Sequence, residues 1–258
     1  MCNEIHSEGT RKEWREGLGV LIEDLEPGAD IFIDFGANTC FFGLAAAARG
    51  VKVIAVEPAQ ADVCRLNAAL NGFSPDLFEF FGVALVEKRG TGPLKQRIPW
   101  QNMGGATFVD GTKTTSWTTL FDEETPHLDV LIETMTIDDV VRASVLDPWR
   151  PVKLLKVDVE GFEVFAWRGG QELLASGLVF KVIAEWHPRF LVSAGVKPAE
   201  YLRIFSEHGY AIFSSISGPK ERILPSNIDA FAKTSHENNG DITFVLESKP
   251  WPPAAQAA

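Results

Sequence analysis

Five side chains have the types and spacing to do chemistry together: Asp34, Glu57, Asp158, Glu160 and His187. Asp34 lies at the end of the apolar run Ile31–Phe35 and is followed by the Gly36-Ala37-Asn38 loop and an Ala-rich segment. Glu57 closes the next apolar run, VIAVEP. A strand, a tight glycine loop, a helix and an acid ending the following strand form half of a nucleotide-binding βαβ unit, the acid holding ribose hydroxyls. The loop lacks the second and third glycines of G-x-G-x-x-G, since Asn38 and Phe41 stand after Gly36. Asp34 beside it would repel a pyrophosphate. A phosphate-free nucleoside with positive charge fits better, and S-adenosylmethionine, with its sulfonium and α-ammonium, is the expected cofactor. An NAD-dependent oxidoreductase on the same fold is the alternative, because Glu57 would hold that ribose too.

Asp158 and Glu160 close the segment KVDVEGFE, and His187 follows Glu185-Trp186. In open α/β sheets, ligands bind outside the carboxyl ends of strands where strand order reverses. The strand ending at Asp158 is expected beside the one ending at Asp34, within reach of a transferred methyl group. Methyl transfer to an alcohol needs the reactants held in line in a dry site and gains from a base. Asp158 and His187 are the candidates, an imidazole being suited to accepting protons near neutral pH. Asp158, Glu160 and His187 also offer ligands for a divalent ion, but the spacing is not diagnostic and no metal is expected. Glu163 reads as a helix-capping acid. Trp100, Trp117 and Trp186 are candidates for a surface that stacks on a sugar ring.

These residues need an α/β frame. Strands are expected at Ile31–Phe35, Val51–Val56, Leu77–Val86, Val152–Val159, Val179–Glu185, Tyr210–Phe213 and Asp241–Leu246, the last two antiparallel. Helices are expected at Phe41–Arg49, Ala59–Leu70, Phe162–Leu174 and Pro198–His208. The continuous apolar runs suit a parallel sheet covered on both faces. The expected fold is therefore a doubly wound, mostly parallel, seven-stranded Rossmann-like sheet in a single domain spanning 1–258. Its core covers 30–86 and 130–247. Residues 87–129, rich in Gly, Pro and Thr, read as a β-rich insertion or lid with a turn at Gln101–Gly105, and 248–258 as a disordered tail.

With 258 residues, 45% hydrophobic, the chain can bury a full core. Its formal net charge of -11 argues against a nucleic-acid partner. Three cysteines without C-x-x-C spacing predict neither a disulfide framework nor a zinc site. The polar N-terminus and the lack of a long apolar run predict an unexported protein without membrane contact, in the reducing cytoplasm.

DFGAN, VEP, the Thr136-Ile137-Asp138-Asp139 step, KVDVEGFE with Gly169-Gly170, and Glu185-Trp186-His187 resemble the FkbM-type family of S-adenosylmethionine-dependent class I methyltransferases. The resemblance runs from Ile31 to His187. It implies O-methylation of a hydroxyl on a sugar, polyketide or other small molecule. It also implies cofactor contacts at Asp34, Gly36, Ala37, Asn38, Glu57 and Pro58, with Asp158 and Glu160 beside the reaction centre. One position departs from the family loop G-A-N-x-G: Cys40 replaces the final glycine, and its side chain either crowds the methionine moiety and weakens the cofactor or, the first expectation, points into the core. If that departure marked decay, the chain would be a cofactor-binding module without turnover.

Overall fold

A computed structural model of the chain describes residues 17–99, 107–110, 113–114, 126–145, 150–214, 221–235 and 238–247. The expected Trp100 and Trp117 contacts, the Gln101–Gly105 turn and the tail lie outside those residues. In chain order the first half comprises α1 (Leu18–Glu23), β1 (Ile31–Phe35), α2 (Phe41–Ala48), β2 (Lys52–Val56), α3 (Ala61–Leu70), β3 (Phe78–Phe81) and β4 (Ala84–Leu85). The inserted region holds β5 (Leu94–Pro99), β6 (Thr107–Asp110), β7 (Lys113–Thr114) and β8 (His127–Ile132). Then follow β9 (Thr134–Met135), α4 (Ile137–Ala143), β10 (Leu154–Val157), α5 (Glu163–Arg168), α6 (Gln171–Ser176), β11 (Lys181–Trp186), α7 (Pro188–Ser193), α8 (Pro198–Glu207), β12 (Tyr210–Ser214), β13 (Glu221–Ile223), α9 (Ile228–Thr234) and β14 (Gly240–Leu246).

The main sheet has the order β13-β12-β14-β11-β10-β1-β2-β3. From β3 to β11 every pair is parallel, and β14 enters antiparallel between β11 and β12. Strand order reverses between β1 and β10. Apolar residues cover both faces of the central strands because helices pack on each. Ile31, Ile33 and Phe35 of β1 face one core, together with Val56, Trp167 and Phe205, and Phe32 faces the other with Val53 and Cys64. Trp167 and Phe205 meet edge to face at 5.0 Å, anchoring α5 to α8. Such a pair adds about 0.5–1.5 kcal/mol beyond its buried area.

Among the described residues the sheet has eight strands, not the expected seven. The extra one, β13, pairs antiparallel with the edge strand β12 and buries only Ile223 of its three residues, too little pattern to read from sequence. The single strand expected over Leu77–Val86 breaks at Gly82, where a side chain would run into Ala61 and Arg65. Its second part, β4, leaves the main sheet and pairs with β9. The single helix expected over Phe162–Leu174 is likewise two, parted at Gly169-Gly170, and a Cβ on Gly169 would lie 2.2 Å from the Val86 carbonyl oxygen.

The insertion forms its own antiparallel sheet, β7-β6-β5-β8, which runs on to Ile132. Asp129 on β8 clamps it by accepting from Arg97 at 2.9 and 3.2 Å, with Lys95 at 2.8 Å.

Cys40 and Cys64 are disulfide-bonded, contrary to the expectation of unpaired thiols. They are 24 positions apart in sequence, and only the packing of α3 beside the Gly-Ala-Asn loop brings them together. The pairing removes the cysteine argument for a reducing compartment. Trp186 is also not a stacking surface: it is fully buried, and its indole N–H donates to the Ser235 hydroxyl. Among the described residues no helix is long and apolar enough to cross a membrane.

Candidate active site

A cleft opens at the carboxyl ends of β1, β2 and β10. Its wall takes in Gly36, Asn38, Glu57, Pro58, Ala84, Leu85, Gln96, Asp158, Glu160 and Phe162. The glycine loop forms its floor because nothing larger fits there. Gly36 has φ +77, and a Cβ on it would lie 1.7 Å from the Asp158 carbonyl oxygen. Two further loop residues, Asn38 and Cys40, also take left-handed backbone, at φ 52 and 62. Asparagine tolerates that region. A cysteine there costs about 1–3 kcal/mol, which is why glycine suits the position, and the Cys40 side chain turns into the core to meet Cys64.

Glu57 joins this loop to the next. One carboxylate oxygen accepts the Asn38 amide at 2.9 Å, and the other accepts the Ala59 and Gln60 amides at 2.6 and 3.2 Å. Burial raises its pKa, and these amides offset part of the rise by stabilising the charge. The Gln60 side-chain amide in turn donates to the Asn38 side-chain oxygen, so both loops are preorganised.

Asp34 is placed differently from its expected role. It is 1% exposed and does not line the cleft. Its partner is Lys156, whose ammonium lies 3.5 Å from Asp34, 3.4 Å from Asp158 and donates to the Gly36 carbonyl at 2.8 Å. The cation that Asp34 attracts is thus a residue of this chain. Ala37 is likewise buried off the wall, with its amide bonded to the Val56 carbonyl at 3.0 Å, whereas Pro58 is on the wall.

Residues 30–212 match the family described as the Methyltransferase FkbM domain. The chain belongs to that family. No curated protein matches it. Among solved structures, a precorrin-6y C5,15-methyltransferase from Geobacter metallireducens GS-15 is 8% identical at TM-score 0.42, over 96% of this chain and 92% of that one. A geranyl diphosphate methyltransferase in complex with SAM is 13% identical at TM-score 0.41, over 93% and 91%. WbdD is 14% identical at TM-score 0.39, and the match covers 84% of this chain but only 35% of WbdD. Likeness at that level carries no functional argument; the family match does. The methyl donor of this FkbM methyltransferase is S-adenosylmethionine. The cleft fits it: Glu57 stands at the end of β2, and the buried Gln96 has a side-chain oxygen without a partner among the described residues.

Carboxylates converge at the wall of the methyltransferase cleft. Oxygens of Asp158, Glu160 and Glu185 lie within 4.8 Å of one another, a spacing that a divalent cation can bridge. Burial first, then the neighbouring acids, push Glu160 up to about 8 and Glu185 up to about 9. Glu160 takes left-handed backbone at φ 56 on the cleft wall, held by a loop folded over Glu163. The Glu163 carboxylate is buried and accepts the Val159 and Gly161 amides at 3.2 and 3.1 Å, so it holds the preceding loop and does not cap the helix amides as expected.

His187 is not in this group. It precedes α7, stacks on Phe190, and its Nε2 contacts the Asn239 side-chain amide at 3.0 Å. Burial lowers its pKa to about 4, so it is neutral at physiological pH and lies off the cleft wall. The sequence reading did not single out three residues that matter here, Lys156, Glu185 and Gln96. A charged residue inside the apolar run LLKV was the available signal for Lys156, since such a lysine must find buried partners. No sequence signal marks Gln96.

Thr136-Ile137-Asp138-Asp139 has a packing role. Thr136 caps α4 by accepting the Asp139 amide, and Asp138 accepts the Glu172 and Leu173 amides at the start of α6.

Proposed function

We propose that this FkbM methyltransferase methylates a hydroxyl group of a small molecule or glycan, with Asp158 and Glu160 at the reaction centre. The observation that supports this is the convergence of the Asp158 and Glu160 carboxylates, with Glu185 beside them, on the wall of the cleft that also holds Glu57. S-adenosylmethionine supplies an electrophilic methyl group on a sulfonium. An alcohol oxygen that attacks it must shed its proton as the new bond forms. A carboxylate with its pKa near 8, as at Glu160, is a far better base at neutral pH than an ordinary one. Lys156 holds one oxygen of Asp158, which fixes the direction of that side chain on the wall. Val56, Val83, Leu85 and Phe162 line the same cleft with apolar surface and keep water from competing with the acceptor.

Glu57 and the backbone of Gly36 and Asn38 are the groups we assign to holding the cofactor. Asp34 acts on it only through Lys156. The test is incubation with a panel of sugars, polyketides and amines, following S-adenosylhomocysteine and the mass gain of one CH2 on the acceptor. Turnover should require a hydroxyl and vanish when hydrogen replaces it. Turnover of amines alone would overturn the O-methylation reading, and cofactor binding without turnover of any acceptor would favour a binding module.

A further inference from the structure

The inserted sheet places a side chain inside the cofactor cleft. Gln96 lies on β5, which has a strand on each side, β6 and β8. Its neighbours Lys95 and Arg97 both engage Asp129, so the alternate face of β5 turns inward and carries Gln96 and Ile98, both buried. Gln96 is 2% exposed, lines the cleft, and its side-chain oxygen has no hydrogen-bond partner among the described residues. A buried amide oxygen without a partner is unfavourable, and a partner supplied by a ligand removes that penalty.

We propose that Gln96 recognises the adenine 6-amino group of the bound cofactor and so makes the insertion part of the cofactor site. The inference rests on S-adenosylmethionine as cofactor. The wall that holds Glu57 and Gln96 also carries Pro58, Val83, Ala84 and Leu85, apolar surface for a flat ring. An adenine ring there presents an N–H donor beside a ring-nitrogen acceptor. A glutamine carboxamide matches both, the pairing that proteins use to read adenine elsewhere. Asn38, the other amide side chain on the wall, already accepts from Gln60. An uncharged carboxamide cannot take the proton that an acceptor hydroxyl sheds, so Gln96 is assigned to the cofactor.

Calorimetry decides it with two ligands, S-adenosylhomocysteine and its purine analogue, in which hydrogen replaces the 6-amino group. The wild type should bind the adenine compound about ten-fold more tightly. Gln96→Leu should lose that margin by weakening the adenine compound alone, with the melting temperature of the free protein unchanged or raised. A wild type that binds both compounds equally overturns the proposal without needing any variant. So does a Gln96→Leu protein that keeps the margin, that weakens both ligands equally, or that changes only the KM for the acceptor. Failure of the wild type to bind S-adenosylhomocysteine at all would instead overturn the cofactor reading beneath it.

Discussion

Lys156 and Asp34 stand opposite each other in the parallel register of β10 and β1, with the ammonium 3.5 Å from a carboxylate that is 1% exposed. The same ammonium reaches Asp158 and the Gly36 carbonyl, so one side chain ties the strand switch point to the cofactor loop and to the reaction centre. Desolvation alone would drive this lysine neutral. Asp158 and Asp34 outweigh it and raise its pKa instead.

Removing that ammonium should therefore be severe. Lys156→Met leaves Asp34 and Asp158 without their counter-charge, and loss of one partner from a buried pair costs about 3–5 kcal/mol. Urea denaturation should show a midpoint far below that of the wild type. Asp34→Asn, which leaves Lys156 with Asp158, should lose less.

Glu57 should act on binding as well as on stability, since Glu57→Ala also strips three backbone amides of their acceptor. Its carboxylate holds both loops and stands at the cleft. Glu57→Ala is expected to weaken S-adenosylhomocysteine by at least about ten-fold in calorimetry, since bonds to charged groups contribute about 1.5–3 kcal/mol each. Unchanged affinity would move the ribose site elsewhere.

Stability should fall as the solution becomes alkaline. Glu160 and Glu185 have folded pKa values of about 8 and about 9 against an ordinary 4.5. Between those limits the folded protein binds more protons than the unfolded chain, so its stability is full below the window and declines as pH rises through it. Melting temperatures taken near pH 6 and near pH 9 should differ, and Glu185→Gln should shrink the difference. A wild type equally stable at both would contradict the burial of these acids. With Glu160 as base, turnover should rise over the same range as the carboxyl ionises, and Glu160→Gln should remove that limb.

Asp158→Asn separates catalysis from cofactor binding. Turnover is expected to drop by about 10² or more while S-adenosylhomocysteine affinity changes little. An equal loss of both would reassign Asp158 as a cofactor ligand.

The Cys40–Cys64 bond is open to direct counting. Alkylation in denaturant without reductant should modify one of the three cysteines, and all three after reduction. Cys64→Ser should lower stability by about 3 kcal/mol, from the freedom regained by a loop of this length in the unfolded chain. Three reactive thiols before reduction would show that the pair is not bonded.

Local patterns were enough to read the family, the parallel core and its cleft. The apolar runs ending at Phe35, Val56 and Val157, the glycine loop and the acids after them are properties of contiguous residues, and the strand switch beside Asp34 follows from the way such units wind. What depends on long-range packing was hidden. Lys156 meets Asp34 only because two strands distant in sequence share a register, Glu185 joins Asp158 only across β10 and β11, and Cys40 finds Cys64 only once α3 packs. Gln96 enters the cleft because a separate sheet folds over it, and a polar residue in an alternating strand carries no mark of the surface it will face. His187 shows the converse: its residue type suggested a base, but burial lowers its pKa and makes it a weak one, and it lies off the wall.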